Sequence, residues 1–251
     1  MQLPINQIML KDFTGSFYQL EKIDSTNSEV KRKLAENTQG PIIVISKKQT
    51  AGRGRFDKNW HSESAENLYL SLGFYPNGPI PDLSLFTLWM GTAICSELNE
   101  AYHLQLKVKW PNDLYFNDKK VAGMLAESQL SQKKVKYLIF GIGLNINSTP
   151  PVNNATSLKE ILQRPLGCNE INSRIISCIL RSYEAFAKGL FMNSFKEQWK
   201  KLDFLYNKEI EVNLNKTSFR GIAQGISNDG ALIIKNDNEL KNVHSGTIKL
   251  I

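Results

Sequence analysis

The sequence predicts an α+β fold in which a mixed-sheet domain is followed by a small β-barrel. Over most of the chain, strand-like and helix-like segments occur without regular βαβ alternation, which argues against a doubly wound parallel sheet. Towards the C terminus, short strand-like segments follow one another at regular spacing, separated by Asn, Asp and Gly turns, which is typical of a small barrel. We therefore predict two domains, 1–204 and 205–251.

Helices and strands are predicted in the first part of the chain from capping residues and periodicity. Ser25, Thr26 or Asn27 can cap the start of a helix that carries Val30 and Leu34 on one face. The β-branched run after it predicts a strand buried on both faces. In order, the predicted elements are a helix (24–36), a strand (41–50), a glycine-rich loop (51–59), a strand (66–74) and a buried helix (83–102).

The middle of the chain predicts further strands and then helices. Pro111 cannot donate to a strand ladder and ends the strand before it, while Asn117 and Asp118 signal a tight hairpin turn. In order, the predicted elements are a strand (104–110), the hairpin around 117–118, a strand (136–147), a surface loop (148–157) and two helices (157–163 and 169–202).

Composition excludes several classes of protein. The longest mainly apolar stretch, 83–95, is too short to cross a membrane, and the N terminus lacks the basic start and apolar region of a secretory signal. The three cysteines are far apart and the three histidines are scattered, which argues against a disulfide framework or a metal site. We expect a cytoplasmic protein, and its net charge of +7 favours an anionic partner: a nucleotide, an acidic protein or nucleic acid.

A basic, glycine-rich loop is the strongest functional signal. Gly52 and Gly54 allow the backbone to approach a ligand closely, and Arg53 and Arg55 offer forked donors for a carboxylate or phosphate. Such a loop should become ordered only around a ligand that offsets the entropy lost. The alternative is a solvated basic turn, but the position of the loop after a buried strand and before Trp60 favours function.

Two other segments carry weaker signals. In KWPND (109–113) and KKVAG (119–123), polar groups at a strand end and a returning lysine can converge on a pocket, although an ordinary hairpin with solvated lysines explains them equally well. In GIGLNIN (141–147), Asn145 can face a ligand, or the glycines can mark a kink in the sheet. The sequence has no GxxxxGK[ST], GxSxG or HExxH motif, which disfavours P-loop, α/β-hydrolase and zinc-protease chemistry.

Together these segments resemble the biotin–protein ligase family. The motifs occur in the family's order: STN (25–27), QTAGRGR…W (49–60), NLYLS (67–71), KWPND (109–113), KKVAGML (119–125), GIGLNIN (141–147), SNDGAL (227–232) and HSGTIKL (244–250). The resemblance covers roughly 18–251 and is to the short form, without an N-terminal DNA-binding domain. It implies a catalytic domain related to class II synthetases and lipoate ligases, with an SH3-like C-terminal barrel.

The resemblance also implies site residues. Lys120, Arg55 and Asp113 match catalytic positions: Lys120 the catalytic lysine, Arg55 the adenylate-binding loop, and Asp113 an acid that assists transfer. Positions that bind biotin or its adenylate are matched by Ser25, Thr26, Asn27, Gln49, Gly52, Arg53, Gly54, Arg55, Trp60, Lys120, Gly123 and Asn145. The sequence departs from the family at 56–58, where Phe, Asp and Lys replace Arg, Gly and Arg, and at 153–158, which lacks a tryptophan that stacks on adenine in some members.

The implied reaction forms biotinyl-5′-AMP from biotin and ATP and then biotinylates a lysine of a biotin carboxyl carrier protein. Arg53, Arg55 and Lys120 would stabilise the charge that builds on the phosphate, with Mg²⁺ as counter-ion and no bound prosthetic group. No nucleic-acid or membrane partner is expected, and a strand edge within 120–147 leaves a homodimer open. The competing interpretations are a lipoate or octanoate ligase, a biotin- or nucleotide-binding regulator without turnover, and a nucleic-acid-binding protein.

Overall fold

A computed structural model describes residues 14–36, 40–56, 58–76, 83–131, 134–214, 217–237 and 239–251. Residues 1–13, on which the expectation about a secretory signal rests, and Asp57 lie outside the described residues. The helices are α1 (Thr26–Ala35), α2 (Leu83–Tyr102), α3 (Leu158–Leu162), α4 (Cys168–Ala187) and α5 (Met192–Leu202). The strands are β1 (Ser16–Leu20), β2 (Ile42–Ser46), β3 (Leu68–Phe74), β4 (Lys107–Lys109), β5 (Asp113–Phe116), β6 (Lys119–Ser131), β7 (Lys134–Leu144), β8 (Glu209–Leu214), β9 (Thr217–Ile226), β10 (Leu232–Asn236), β11 (Glu239–Val243) and β12 (Thr247–Leu250).

The first seven strands form one mixed sheet in the order β1-β2-β3-β7-β6-β5-β4. Only β1 and β2 pair in parallel, and the other neighbours are antiparallel. This arrangement confirms the α+β prediction, because a doubly wound fold would require mostly parallel neighbours.

Helices cover both faces of this sheet. Val30 and Leu34 of α1 pack with Ile42 and Val44 of β2 on one face, whereas Ile43 and the other residues of the main core lie on the face that α2 and α4 cover. Every residue of β2 is buried, which confirms the prediction of a strand buried on both faces. The sheet is therefore a rigid central layer on which a site can be held.

Two predictions in the middle of the chain need correction. The strand predicted over 104–110 is limited to Lys107–Lys109. The helix predicted over 169–202 is two helices, α4 and α5, because Gly189 adopts a left-handed φ of 69° between them. Leu190 N donates to Ala185 O at 2.9 Å, which closes a helix-terminating turn.

The C-terminal residues form a second, antiparallel sheet in the order β11-β10-β9-β8-β12. This confirms the predicted all-β unit, although β11 and β12 remain its edges among the described residues and do not pair to close a ring. The two sheets are joined by contacts such as the bond from Trp110 Nε1 to Gly230 O, 3.0 Å. The strand β12 was not anticipated as a separate element, and it proves important for the site.

The predicted strand edge within 120–147 is found only in part. Strand β7 is paired on both sides, by β3 and β6. Strand β6 pairs with β5 only as far as Gly123, so its remainder has one side without a strand partner among the described residues. None of the described helices is both long enough and apolar enough to cross a lipid bilayer.

Candidate active site

A cavity of about 360 Å³ lies over the first sheet. Its walls come from the start of α1, the basic loop, strands β4 to β7 and, in the C-terminal unit, 246–248. The predicted site residues that line it are Ser25, Thr26, Asn27, Gln49, Arg53, Gly54, Arg55, Trp60, Asp113, Lys120 and Gly123. The fold therefore brings together predicted site residues from four separate segments of the sequence, 25–27, 49–60, 113 and 120–123.

One end of the cavity is a network of neutral polar side chains. Gln49 Oε1 accepts from Thr26 N at 2.8 Å and from Thr26 Oγ1 at 3.1 Å, and Gln49 Nε2 donates to Ser62 Oγ at 2.9 Å. Ser71 Oγ lies 2.7 Å from Thr26 Oγ1 and 2.6 Å from Asn27 Oδ1. Because an amide oxygen can only accept, Ser71 donates to Asn27, which fixes the orientation of that amide, and the single Thr26 hydroxyl proton is shared between Ser71 Oγ and Gln49 Oε1.

The structure corrects the expected helix cap at this end. Ser25 is the N-cap of α1, but its side chain makes no capping hydrogen bond. Thr26 and Asn27 bond to Gln49 and Ser71 across the cavity instead of capping the helix. The polar segment that begins α1 is therefore a wall of the cavity.

Glycines form the floor of the cavity. At these positions the side chains of Asn27 and Trp60 lie directly on the strand backbone, so that a residue with a Cβ would collide with them. A Cβ at Gly141 would lie 2.0 Å from Asn27 Oδ1, and one at Gly143 would lie 2.3 Å from Trp60 Nε1. Gly123, the cross-strand partner of Gly143, also lies beneath Trp60. The glycines of the GIG motif thus allow Asn27 and Trp60 to pack closely on the sheet.

The basic loop folds into a short hairpin over this floor. Trp60 N donates to Gly52 O at 2.9 Å, and Gly54 N donates to the carbonyl of Lys58 at 2.6 Å. Gly52 does not line the cavity; a Cβ there would lie 2.5 Å from Trp60 O, so its role is to let the hairpin close. Trp60 Nε1 is buried and has no hydrogen-bond partner among the described residues.

The arginines of the loop reach two different parts of the protein. Arg53 forms an ion pair with Glu127 of β6 at 2.8 Å, and the other oxygen of Glu127 accepts from Asn27 Nδ2 at 2.7 Å. Arg55 Nη2 donates to Ser245 Oγ at 3.3 Å, so the loop contacts the C-terminal sheet. Burial lowers the pKa of Arg55 from its ordinary value, and the charge of Asp113 partly opposes that shift.

The opposite end of the cavity holds cationic side chains and one carboxylate. Lys120 Nζ lies 2.6 Å from Asp113 Oδ1 and 5.2 Å from the centroid of the Trp60 ring. Lys109 lies beyond them on β4, where its Nζ donates to the Tyr115 hydroxyl at 3.4 Å. Burial is the main reason why the pKa of Lys109 is lowered. An anion bound here would face preorganised positive charge.

A second cavity of about 490 Å³ adjoins the first and shares Asn59, Trp60, Lys120 and Asn154 with it. Asn145 lines this second cavity and not the first. Its side chain donates to Thr156 O at 3.1 Å, and its backbone bonds to Val121 and Leu158. Asn145 therefore holds Thr156 in place, while the backbone of Lys120 bonds to Asn154 and Thr156.

Sequence reasoning missed several residues of the site. Ser71 had a usable signal, as a hydroxyl within a fully buried strand. Glu127 had none, because its role depends on a partner 74 residues away. Lys109 lay within a recognised motif but was assigned no role, and 246–248 reach the cavity only through the packing of the second sheet.

The chain is similar to known proteins over most of its length. The profile of the Biotin/lipoate A/B protein ligase family matches residues 20–145, half of the chain, and that of the Biotin protein ligase C terminal domain matches residues 206–250. The chain belongs to this ligase family. Among curated relatives of this ligase, the bifunctional ligase/repressor BirA of Escherichia coli is 30% identical over 241 residues, covering 94% of this chain and 74% of BirA. A biotin–[acetyl-CoA-carboxylase] ligase of Paracoccus denitrificans is 28% identical, covering 86% of this chain and 92% of the relative.

Solved structures agree with the ligase assignment. A biotin protein ligase from Aquifex aeolicus in complex with biotin and ATP matches this ligase with a TM-score of 0.80 and 28% identity, covering 94% of this chain and 98% of that one. A biotin protein ligase from Leishmania major in complex with biotinyl-5-AMP matches with a TM-score of 0.62 at 22% identity, which supports the fold alone. The expected relation to biotin–protein ligases is thereby confirmed.

Proposed function

We propose that this chain is an ATP-dependent biotin–protein ligase. It joins biotin to AMP with release of pyrophosphate, and then transfers biotin to a lysine of a biotin carboxyl carrier protein. One observation carries the proposal: in a chain of this family, a single cavity has neutral hydrogen-bonding groups at one end and cations at the other. That distribution matches a ligand with an uncharged polar head and a carboxylate to be activated.

The neutral end is the proposed biotin site. Thr26, Asn27 and Gln49 present hydroxyl and amide groups whose orientations are fixed by Ser71 and Ser62. Such preorganised donors and acceptors suit the cyclic urea of biotin, which both donates and accepts hydrogen bonds. They suit the apolar dithiolane of lipoate or the alkyl chain of octanoate poorly, since buried polar groups would lose their partners.

The cationic end is proposed to carry out adenylation. Biotin's carboxylate attacks the α-phosphorus of ATP, and pyrophosphate leaves with the electron pair of the broken P–O bond. Arg53, Arg55 and Lys120 stabilise the charge that develops on the phosphate. Mg²⁺, bound to ATP, would neutralise phosphate charge; Asp113 fits this ion, since Mg²⁺ is usually held by one or two carboxylates together with substrate phosphates. Among the described residues, no group of three His, Cys, Asp or Glu side chains forms an independent metal site.

The second cavity is proposed to receive the nucleoside of ATP. It adjoins the cationic end through Trp60 and Lys120, and 148–152 supplies part of its apolar wall. Trp60 lies between the two cavities, where it can separate the acyl group from the base. Asn145 contributes by holding the loop that precedes α3, and Asn154 and Ala155 of that loop would cover the base in place of a stacking tryptophan.

Transfer requires the carrier lysine to enter as a neutral amine. Asp113, 2.6 Å from Lys120 and partly exposed, is proposed to orient that amine and accept its proton. The hairpin over the cavity shields the adenylate from water until the carrier arrives. We further propose a cytoplasmic location, which agrees with three unpaired cysteines. A homodimer through the free part of β6 stays a prediction.

The decisive experiment measures pyrophosphate release from MgATP without an acceptor protein, with biotin, lipoate or octanoate. We expect release with biotin alone. Release only with lipoate or octanoate would assign the chain to a sister activity of the same family. Binding of biotin without release of pyrophosphate would show a regulator without turnover. Biotinylation of a purified carrier domain then tests the second step.

A further inference from the structure

Lys58 and Lys109 are cavity-lining cations for which the reaction described above has no task, and of the two Lys109 is the partly buried one. It stands opposite Asp113 in the β4–β5 ladder. Its Nζ lies 3.4 Å from the Tyr115 hydroxyl and 4.7 Å from the centroid of that ring. Tyr115 is buried, and burial raises the pKa of its phenol to about 12, so the ring is an uncharged support. The Lys109 ammonium is therefore held in place by a neutral neighbour.

The cations of the cavity differ in whether a carboxylate balances them. Arg53 is paired with Glu127, and Lys120 is paired with Asp113. Within the described part of the chain, no carboxylate lies within ion-pair distance of Arg55 or Lys109. A partly buried cation without a counter-charge is destabilised, and binding of an anion relieves that cost.

The position of Lys109 along the cavity indicates which anion this side chain would bind. The strand order places β4 four strands from β3, which carries Ser71, and at about 4.8 Å per strand this is about 19 Å. Lys120 and Asp113 lie between them, on β6 and β5. A carboxylate activated near Lys120 would place the α-phosphate there. The β- and γ-phosphates would then extend away from the neutral end, towards β4.

We propose that Lys109 binds the β- and γ-phosphates of ATP and stabilises the pyrophosphate leaving group. When the carboxylate oxygen bonds to the α-phosphorus and the bond from that phosphorus to the bridging oxygen breaks, the electron pair stays on pyrophosphate beside the Lys109 ammonium. No proton transfer is needed. This inference rests on the proposed adenylation and assigns the leaving group a residue of its own, separate from Lys120.

The test separates the two half-reactions in Lys109→Met, which keeps an apolar stem without the charge. Exposed Lys119, at the start of β6, provides the matched control Lys119→Met. Loss of one charge-assisted contact should lower kcat/KM for MgATP roughly ten- to a hundredfold and raise the inhibition constant of pyrophosphate by a similar factor. Transfer from supplied biotinyl-5′-AMP to the carrier should stay within about twofold of wild type, and Lys109→Arg should restore much of the adenylation.

Other results would overturn the assignment. Unchanged adenylation by Lys109→Met would remove Lys109 from the reaction, and a rise in KM for biotin alone would place Lys109 at the carboxylate. Equal loss in both half-reactions, with no rescue by Lys109→Arg, would indicate a structural role. Failure of the proposed function can be told apart from failure of the Lys109 assignment, because wild-type protein would then release no pyrophosphate with biotin.

Discussion

Replacement of Gly141 by alanine tests whether the close contact between β7 and α1 creates the biotin site. The added Cβ would lie 2.0 Å from Asn27 Oδ1, where an ordinary contact needs at least 3.4 Å. Asn27 would have to move, and its bonds to Ser71 at 2.6 Å and Glu127 at 2.7 Å would weaken. Two hydrogen bonds at about 1 kcal/mol each, together with the strain of overpacking, predict a loss of about 2–4 kcal/mol in the free energy of unfolding.

The same displacement should weaken biotin binding about ten- to a hundredfold, since each 1.4 kcal/mol changes the affinity about tenfold. Calorimetry without ATP measures this affinity, and urea unfolding measures stability. Gly167→Ala is the matched control, because a Cβ there makes only an ordinary 3.8 Å contact with Glu170, and it should cost less than about 1 kcal/mol. If Gly141→Ala binds biotin as tightly as the control does, Asn27 does not hold the ligand and the assignment of the neutral end fails.

Three further predictions concern other parts of the molecule. Lys120→Ala should lower the rate of pyrophosphate release roughly 10²–10³-fold while changing the urea unfolding energy by less than about 1 kcal/mol, since its ion pair with Asp113 is partly exposed; unimpaired release would refute its role. Burial raises the pKa of the Asp203 carboxyl from 3.8 to about 6, so folding favours the neutral carboxyl. The stabilisation of the folded state by this neutral group is therefore complete below the unfolded pKa of 3.8 and is lost as the pH rises through the folded pKa of about 6. Relative to wild type, Asp203→Asn should therefore gain about 1–3 kcal/mol in urea unfolding between about pH 4 and pH 7, and a constant difference across that range would contradict this. Ser157→Ala removes the capping box with Glu160 at the start of α3; it should cost about 1 kcal/mol and raise the KM for ATP but not for biotin, and equal effects on both would argue against a nucleoside in the second cavity.

Local sequence was sufficient for most of the secondary structure. The hairpin at Asn117 and the buried helix α2 follow from turn chemistry and from a continuous apolar run, which depend only on neighbouring residues. The same reasoning predicted one helix where α4 and α5 are separate. A single glycine inside a helical pattern does not show whether it will adopt a left-handed φ, since the surrounding packing decides it.

The residue types of the site were also evident from the sequence, because arginines between glycines and lysines at strand ends favour anion binding wherever they occur. Their arrangement was decided by the tertiary structure. The choice between a kink and a ligand site at 141–147 depended on Asn27 and Trp60, which lie on the floor glycines only once the sheet has formed. The pairing of Arg53 with Glu127 and of Lys120 with Asp113, which leaves Lys109 and Arg55 without counter-charges, likewise joins residues distant in sequence. Charge balance in a cavity is a property of distances in space, and composition and local pattern carry no information on it.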